Sequence, residues 1–373
     1  MALKIAMSGF LALLVAMGIG RFAFTPQVPL MIADGQLTLT GAGLVAAANY
    51  AGYLLGAFDA MRAERGLEIR LWLGVWGTVA LTLFSAVIHD PWSHGVVRTA
   101  AGIASGWSMV LVSAWTHDLL LRLRRPALGA AVFAGPGSGI FLSGLLAVIM
   151  GHYGIGASEA WRLYGLAALL PIAVISFFLP RRGALAHRAD IAATPHLGRP
   201  LKKLVWSYSL AGFGYILPAT FLSQMAAQRF PDSAFAPWVW PVFGAAGVTG
   251  IGIGILTRHC LSPGRRLAIT LWAQGLGVAL MIGLPGVASL ITGALLTGGG
   301  FLNVVQLTLE CSRRQAPEHT RYMAGLLTCG YGIGQLTGPV LSALSTWTVG
   351  RLEPALAAAL AALLLAGGLV WRQ

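Results

Sequence analysis

The sequence predicts an all-α membrane protein with twelve transmembrane helices in two pseudo-symmetric six-helix bundles. Three observations carry this prediction. Of 373 residues, 57% are hydrophobic and only 10% charged, with a mean hydropathy of +0.75. A soluble domain holds roughly 25% charged residues, so this chain cannot cover a water-facing surface. The apolar residues come in runs of about 20, the length that crosses a hydrocarbon core of about 30 Å. Finally, the basic residues between those runs gather on one side.

Taken in order, the runs fall at about 6–32, 41–60, 71–89, 96–119, 127–150 and 161–180, then at about 204–228, 237–257, 267–284, 287–310, 322–346 and 354–371. The turns "HDPWSH", "RFPDSAFAP", "LSPGRR" and "APEHT" supply the proline, glycine and polar breakers of loops. The first run follows a single lysine and continues past the length of a signal-peptide core, so it reads as an uncleaved helix. Twenty of the 25 lysines and arginines then lie on the side of Lys4. One miscounted helix would scramble that bias, and the rule that basic loops stay inside puts both termini in the cytoplasm of a bacterial inner membrane. The net charge of +13 is therefore a topology signal, not a nucleic-acid footprint.

The longest loop, 181–203, divides a first bundle (1–180) from a second (204–373). The two echo each other. "THDLLLRLRRP" ends the fourth span and "TLECSRRQAP" the tenth, so both repeat Thr-x-acid-x-x-x-Arg with acid and arginine at i, i+4. "GIGRF" in the first span matches "GFGYI" in the seventh, which aligns Arg21 with Tyr215. "GPGSG" (135–139) and "GQLTGP" (334–339) place a Gly-Pro pair in the fifth and eleventh. Such duplication is common in secondary transporters.

These features resemble the major facilitator superfamily. "GIGRFAFTPQVPLM", "RTAAGIASG", "FAGPGSGIFLSG", "GFGYILPATFL" and "GIGQLTGPVL" are similar to its YbfB/YjiJ-type branch over nearly the whole chain. The superfamily's signature between spans two and three is degenerate here: "GAFDAMRAERG" keeps Gly56 and Asp59 with altered spacing, and "GILTRHCLSPGRR" lacks the acid. The resemblance implies a monomeric solute transporter in the lipid bilayer, alternating access between the halves, and no cofactor. Its fifth-span Gly-Pro is similar to that of proton antiporters, which implies proton exchange and efflux.

Arg21 is the strongest single signal, since an arginine central to a spanning helix costs roughly 2.5–3.5 kcal/mol on insertion scales. One reading is a cation pairing the carboxylate or phosphate of a solute. The other is a clamp on carbonyls released by Pro26 and Pro29. Gln27, Asn49, Trp107, Tyr215, Asn303, Gln306, Tyr331 and Gln335 join Arg21 as candidate solute-binding residues, because polar side chains in spans turn inward. Asn303, Gln306, Tyr215 and Gln335 are favoured as cavity-lining on the resemblance, and others in the set are expected to bond helix to helix. Asp59 with Arg62, Asp118 with Arg122 and Glu310 with Arg314 are expected to form gate ion pairs at the cytoplasmic helix ends. No acid sits at the centre of a span, so proton coupling rests on the resemblance.

Other classes find less support. Three cysteines without paired spacing argue against disulfides and clusters. Glycine runs such as "GVTGIGIG" lie inside apolar helices, where they read as packing, not phosphate loops. No P-loop, HExxH or GxSxG occurs, which argues against an ATP-driven pump or an enzyme. Ten methionines and His259-Cys260 raise a metal importer as an alternative, but no Met-x-x-x-Met pair accompanies them. No metal site is expected.

Overall fold

In the computed structural model, residues 1–125, 128–181, 183, 185, 197–257 and 259–373 are described, without the side chains of Ala130, Glu318, Thr320, Arg321 and Tyr322. The chain forms two compact units, Met1–Ala189 and Asp190–Gln373. The first holds α1 (Ala2–Ala33), α2 (Leu39–Arg62), α3 (Leu67–Phe84), α4 (Pro91–Arg122), α5 (Gly129–His152) and α6 (Ala157–Ser176). The second holds α7 (Arg199–Arg229), α8 (Val239–Leu256), α9 (Pro263–Gly283), α10 (Val287–Gln315), α11 (Thr320–Val349) and α12 (Glu353–Val370).

Ten of these helices are long and apolar enough to cross a membrane by composition. The other two, α2 and α11, are long but diluted by glycine, asparagine, threonine and tyrosine, which is where polar function can reside. Large apolar side chains such as Leu170, Phe177, Ile253 and Leu365 are exposed around the outside. That is the surface a bilayer covers.

Local chemistry sets the ends. Thr38 Oγ1 accepts from the Gly41 amide at 3.0 Å to cap α2. Asp90 accepts from Ser93 at 2.9 Å to start α4, with Pro91 in the first turn. Those Ser93 bonds hold the Asp90 carboxyl below its ordinary range. At the end of α1, Asp34 Oδ2 accepts from the Ala157 amide at 2.7 Å, so α1 caps α6.

Within each unit the helices cross where glycines remove side chains. In the first, Gly52 and Gly56 of α2 meet the α4 backbone at Thr99 and Ile103, and Gly102 and Gly106 of α4 meet α2 at Asn49 and Tyr53. Gly18 of α1 lies against Gly139 of α5. The second unit repeats the plan: Gly250 of α8 meets Gly299 of α10, and Gly212 of α7 meets Tyr331 of α11. In lipid, where apolar contact adds no water-driven gain between helices, this backbone proximity supplies the packing energy.

A side chain at these seams forces the helices apart. Gly102→Leu is expected to destabilise the first unit by about 1–3 kcal/mol, the usual cost of overpacking. Gly95→Ala, in open space, should leave the thermal midpoint in detergent unchanged or slightly raised, since alanine favours the helix.

Candidate functional site

The α1 helix does not run straight through the membrane. It is α-helical over Ala2–Leu13, π-helical over Leu14–Ile19, loose over residues 20–23, and α-helical again over Phe24–Ala33. The amides of Gly20 and Phe22 reach back five residues, to Val15 at 2.7 Å and Met17 at 3.0 Å. Such π-turns cluster at functional positions. Arg21 sits in the break.

Arg21 is 3% exposed. Its guanidinium lies 3.8 Å from the ring centroid of Tyr53, 4.7 Å from Tyr50 and 5.1 Å from Phe22. Tyr50 and Tyr53 stand one helical turn apart on α2, so they present their rings together. Cation–ring contacts reach about 2 kcal/mol when desolvated, which offsets part of the cost of burying the charge.

A second arginine, outside the candidate set, holds a carbonyl at the break. Arg98 of α4 is fully buried. Its Nη1 donates to the Gly20 carbonyl at 3.0 Å, its Nη2 donates to Ser85 Oγ at 3.0 Å, and its guanidinium lies 4.5 Å from the Trp161 ring. Its own carbonyl accepts from Asn49 Nδ2 at 2.8 Å. Arg98 thus ties the α1 break to α2, α6 and the end of α3. Sequence reading counted it only as a basic residue off the main side. The signal was its place within a span, the same signal that singled out Arg21.

Gln27, on the α1 segment past the break, is wholly buried with neither amide atom hydrogen-bonded among the described residues. An unsatisfied amide away from water costs about 1–3 kcal/mol, so its retention marks a place where a partner is wanted.

In the second unit, Gln335 Nε2 donates to the Tyr215 hydroxyl at 2.7 Å. Tyr215 stacks on Phe301 at 5.0 Å and on Tyr331 at 5.7 Å, and Tyr331 stacks on Tyr208 at 4.3 Å. Three candidates, Tyr215, Tyr331 and Gln335, are therefore brought into one buried cluster from α7 and α11. Asn303 lies apart, donating to Thr270 Oγ1 at 3.2 Å while its Oδ1 has no partner. Gln306 is half-buried.

Most of the remaining candidates have partners of their own. Trp107 is engaged at the charged end of α2, where its Nε1 donates to Asp59 Oδ2 at 2.7 Å. Asn49 bonds helix to helix. Asp59 pairs with Arg70 at 2.7 Å and not with Arg62, which instead covers the Phe58 ring at 4.2 Å. Across the α2–α3 turn Arg70 meets the carboxylate with both Nε and Nη2, a fork that Arg62 at i+3 does not supply. No ion pair joins Asp118 to Arg122 among the described residues. Glu310 does pair with Arg314 at 2.7 Å, and with buried Arg266 at 3.7 Å. Only one of the three expected pairs is closed as drawn.

Residues 13–371 match the family described as "Uncharacterised MFS-type transporter YbfB". The fold is similar to that of the nucleoside transporter NupG and of a mutant of it. The mutant structure gives a TM-score of 0.74 at 14% identity, and the other gives 0.70 at 13%. Both matches cover 99% of this chain and 98% of the other. No curated protein matches the chain.

Arg98→Lys keeps the charge but gives up the fork that spans Gly20 and Ser85. It is expected to cost about 1–3 kcal/mol, the range for stranding one buried acceptor, and to lower the thermal midpoint in detergent. An unchanged midpoint would remove Arg98 as the clamp.

Proposed function

The chain belongs to the MFS-type transporter YbfB family and is a multi-pass secondary transporter, and from that premise we propose that it moves a small organic anion outward in exchange for protons. The observation that carries the anion is Arg21. It is a buried guanidinium at a break in a spanning helix, seated on the rings of Tyr50 and Tyr53. A buried guanidinium beside a break in a spanning helix is placed to meet a carboxylate, and such a charge-assisted bond is roughly twice as strong as a neutral one. Gln27 then supplies a neutral donor and acceptor on the same segment. In the second unit Tyr215, Tyr331 and Gln335 offer flat apolar faces edged by hydroxyl and amide, which suits an organic solute better than a bare metal ion.

The division of labour follows. Arg98 holds the break open and Arg21 neutralises the solute. The Gly-Pro of α5, similar to that of proton antiporters, is the feature from which this reading takes outward proton exchange, and the bacterial inner membrane with both termini cytoplasmic is the setting it takes. Asp59–Arg70 and Glu310–Arg314 would restrain the basic helix ends between states. Partly exposed, each is worth under about 1 kcal/mol, small enough to open during a cycle.

The test uses protein in proteoliposomes with a panel of organic acids, amines and divalent metals, read first as ligand-dependent thermal shift and then as flux under a pH step. An organic acid is expected to stabilise the wild type and to move protons. Arg21→Gln should weaken that stabilisation about 10–100-fold with the unliganded midpoint little changed, as loss of a charge-assisted bond requires. If Arg21→Gln transports normally, the binding role is lost. If transport proceeds without proton flux, so is the exchange.

A further inference from the structure

We propose a binding site for an anionic glycerophospholipid in the cleft where α7 begins and α12 ends. The cleft holds about 340 Å³ and is lined by Arg199, Lys202, Lys203, Trp206, Leu210 and Leu369. On α7 the lining residues follow i, i+3, i+4, i+7 and i+11, one face of the helix. The face is graded. Three exposed cations come first, lining the cleft with their aliphatic stems, then Trp206 at 67% exposure, then Leu210, with Leu369 of α12 beside it. That order matches a phospholipid read from phosphate through glycerol to acyl chain, with tryptophan at the level of the headgroup boundary.

The charges are available for this use. At other basic helix ends Arg70 pairs with Asp59, and Arg266 and Arg314 with Glu310, while Arg62, Arg122 and Arg313 are in no ion pair among the described residues. Among the described residues, none of Arg199, Lys202 and Lys203 pairs with a carboxylate, and no acid lines the cleft. Three adjacent cations repel one another, and an anion between them relieves that repulsion. The site is also fixed in place. The terminal residue Gln373 donates to the Pro200 carbonyl at 3.1 Å and its carbonyl accepts from Ser262 at 3.2 Å, which holds the start of α7 to the end of α12 and the start of α9. The apolar floor and the volume exceed what free phosphate fills, and a zwitterionic headgroup would bring its ammonium against the cations. The occupant is therefore a lipid of net negative charge.

The test is native mass spectrometry of the full-length protein in mild detergent, titrated with phosphatidylglycerol, with phosphatidylcholine of the same chains, and with inorganic phosphate. Phosphatidylglycerol is expected to bind in preference to both. Each basic residue near a lipid surface contributes roughly fivefold, so Lys202→Gln with Lys203→Gln should weaken binding about 30-fold. Arg313→Gln, an exposed cation of α10 outside the cleft, should leave it unchanged. If the double variant does not fold, the single variants, each about fivefold weaker, carry the same test. Equal binding of phosphatidylcholine, or an undiminished double variant, overturns the site. So does phosphate that competes at equal concentration, which would make it a free-anion site. Equal loss in Arg313→Gln would reduce it to diffuse surface charge.

Discussion

The bond from Arg98 to the Gly20 carbonyl is the contact on which the first unit depends. Inside a bilayer no water waits to satisfy a released backbone group, so a helix can break only where protein takes over its hydrogen bonds. The break at residues 20–23 frees such groups, and Arg98 reaches across from α4 to take one of them. The same guanidinium holds Ser85 and stacks on Trp161. A single side chain thereby turns a costly irregularity into a fixed feature. Arg21 can be buried midway along α1 because a second buried cation has already settled the backbone beside it.

The two units share a skeleton and differ in what they carry on it. Both close their second and fourth helices through glycine seams, and both cross their first and fifth helices at small residues. At the matched position, however, the first unit has a cation over tyrosine rings and the second a tyrosine stacked between Tyr331 and Phe301. The repeated Thr-x-acid-x-x-x-Arg has diverged as well. Glu310 closes onto Arg314, helped by Arg266, while Asp118 stays apart from Arg122.

Much of this was legible in the sequence because the solvent is so restrictive. Twelve runs near 20 residues and one-sided basic loops leave few other folds. The helix bounds were less legible, since amphipathic turns extend past the hydrocarbon: α7 starts at Arg199, five residues before its apolar run. Arg21 announced itself by its cost, and Arg98 carried the same mark without being singled out, hidden by a plausible place near a loop. Partners across turns were out of reach. Asp59 chose Arg70 over the nearer Arg62 because the α2–α3 turn brings a two-pronged geometry that spacing along one helix cannot show. The tyrosine cluster joins residues more than a hundred positions apart, and only the fold brings α7 and α11 together.

The π-turn of Leu14–Ile19 has one more consequence. A π-turn holds an extra residue within a helix otherwise wound at 3.6 per turn, so it resets the angular phase of all that follows. Deleting one residue there would restore ordinary winding and swing Thr25, Gln27 and Val28 by about 100° around the axis. The length of the span would hardly change. What the surplus residue encodes is azimuth: it decides which side of α1 looks inward beyond the break.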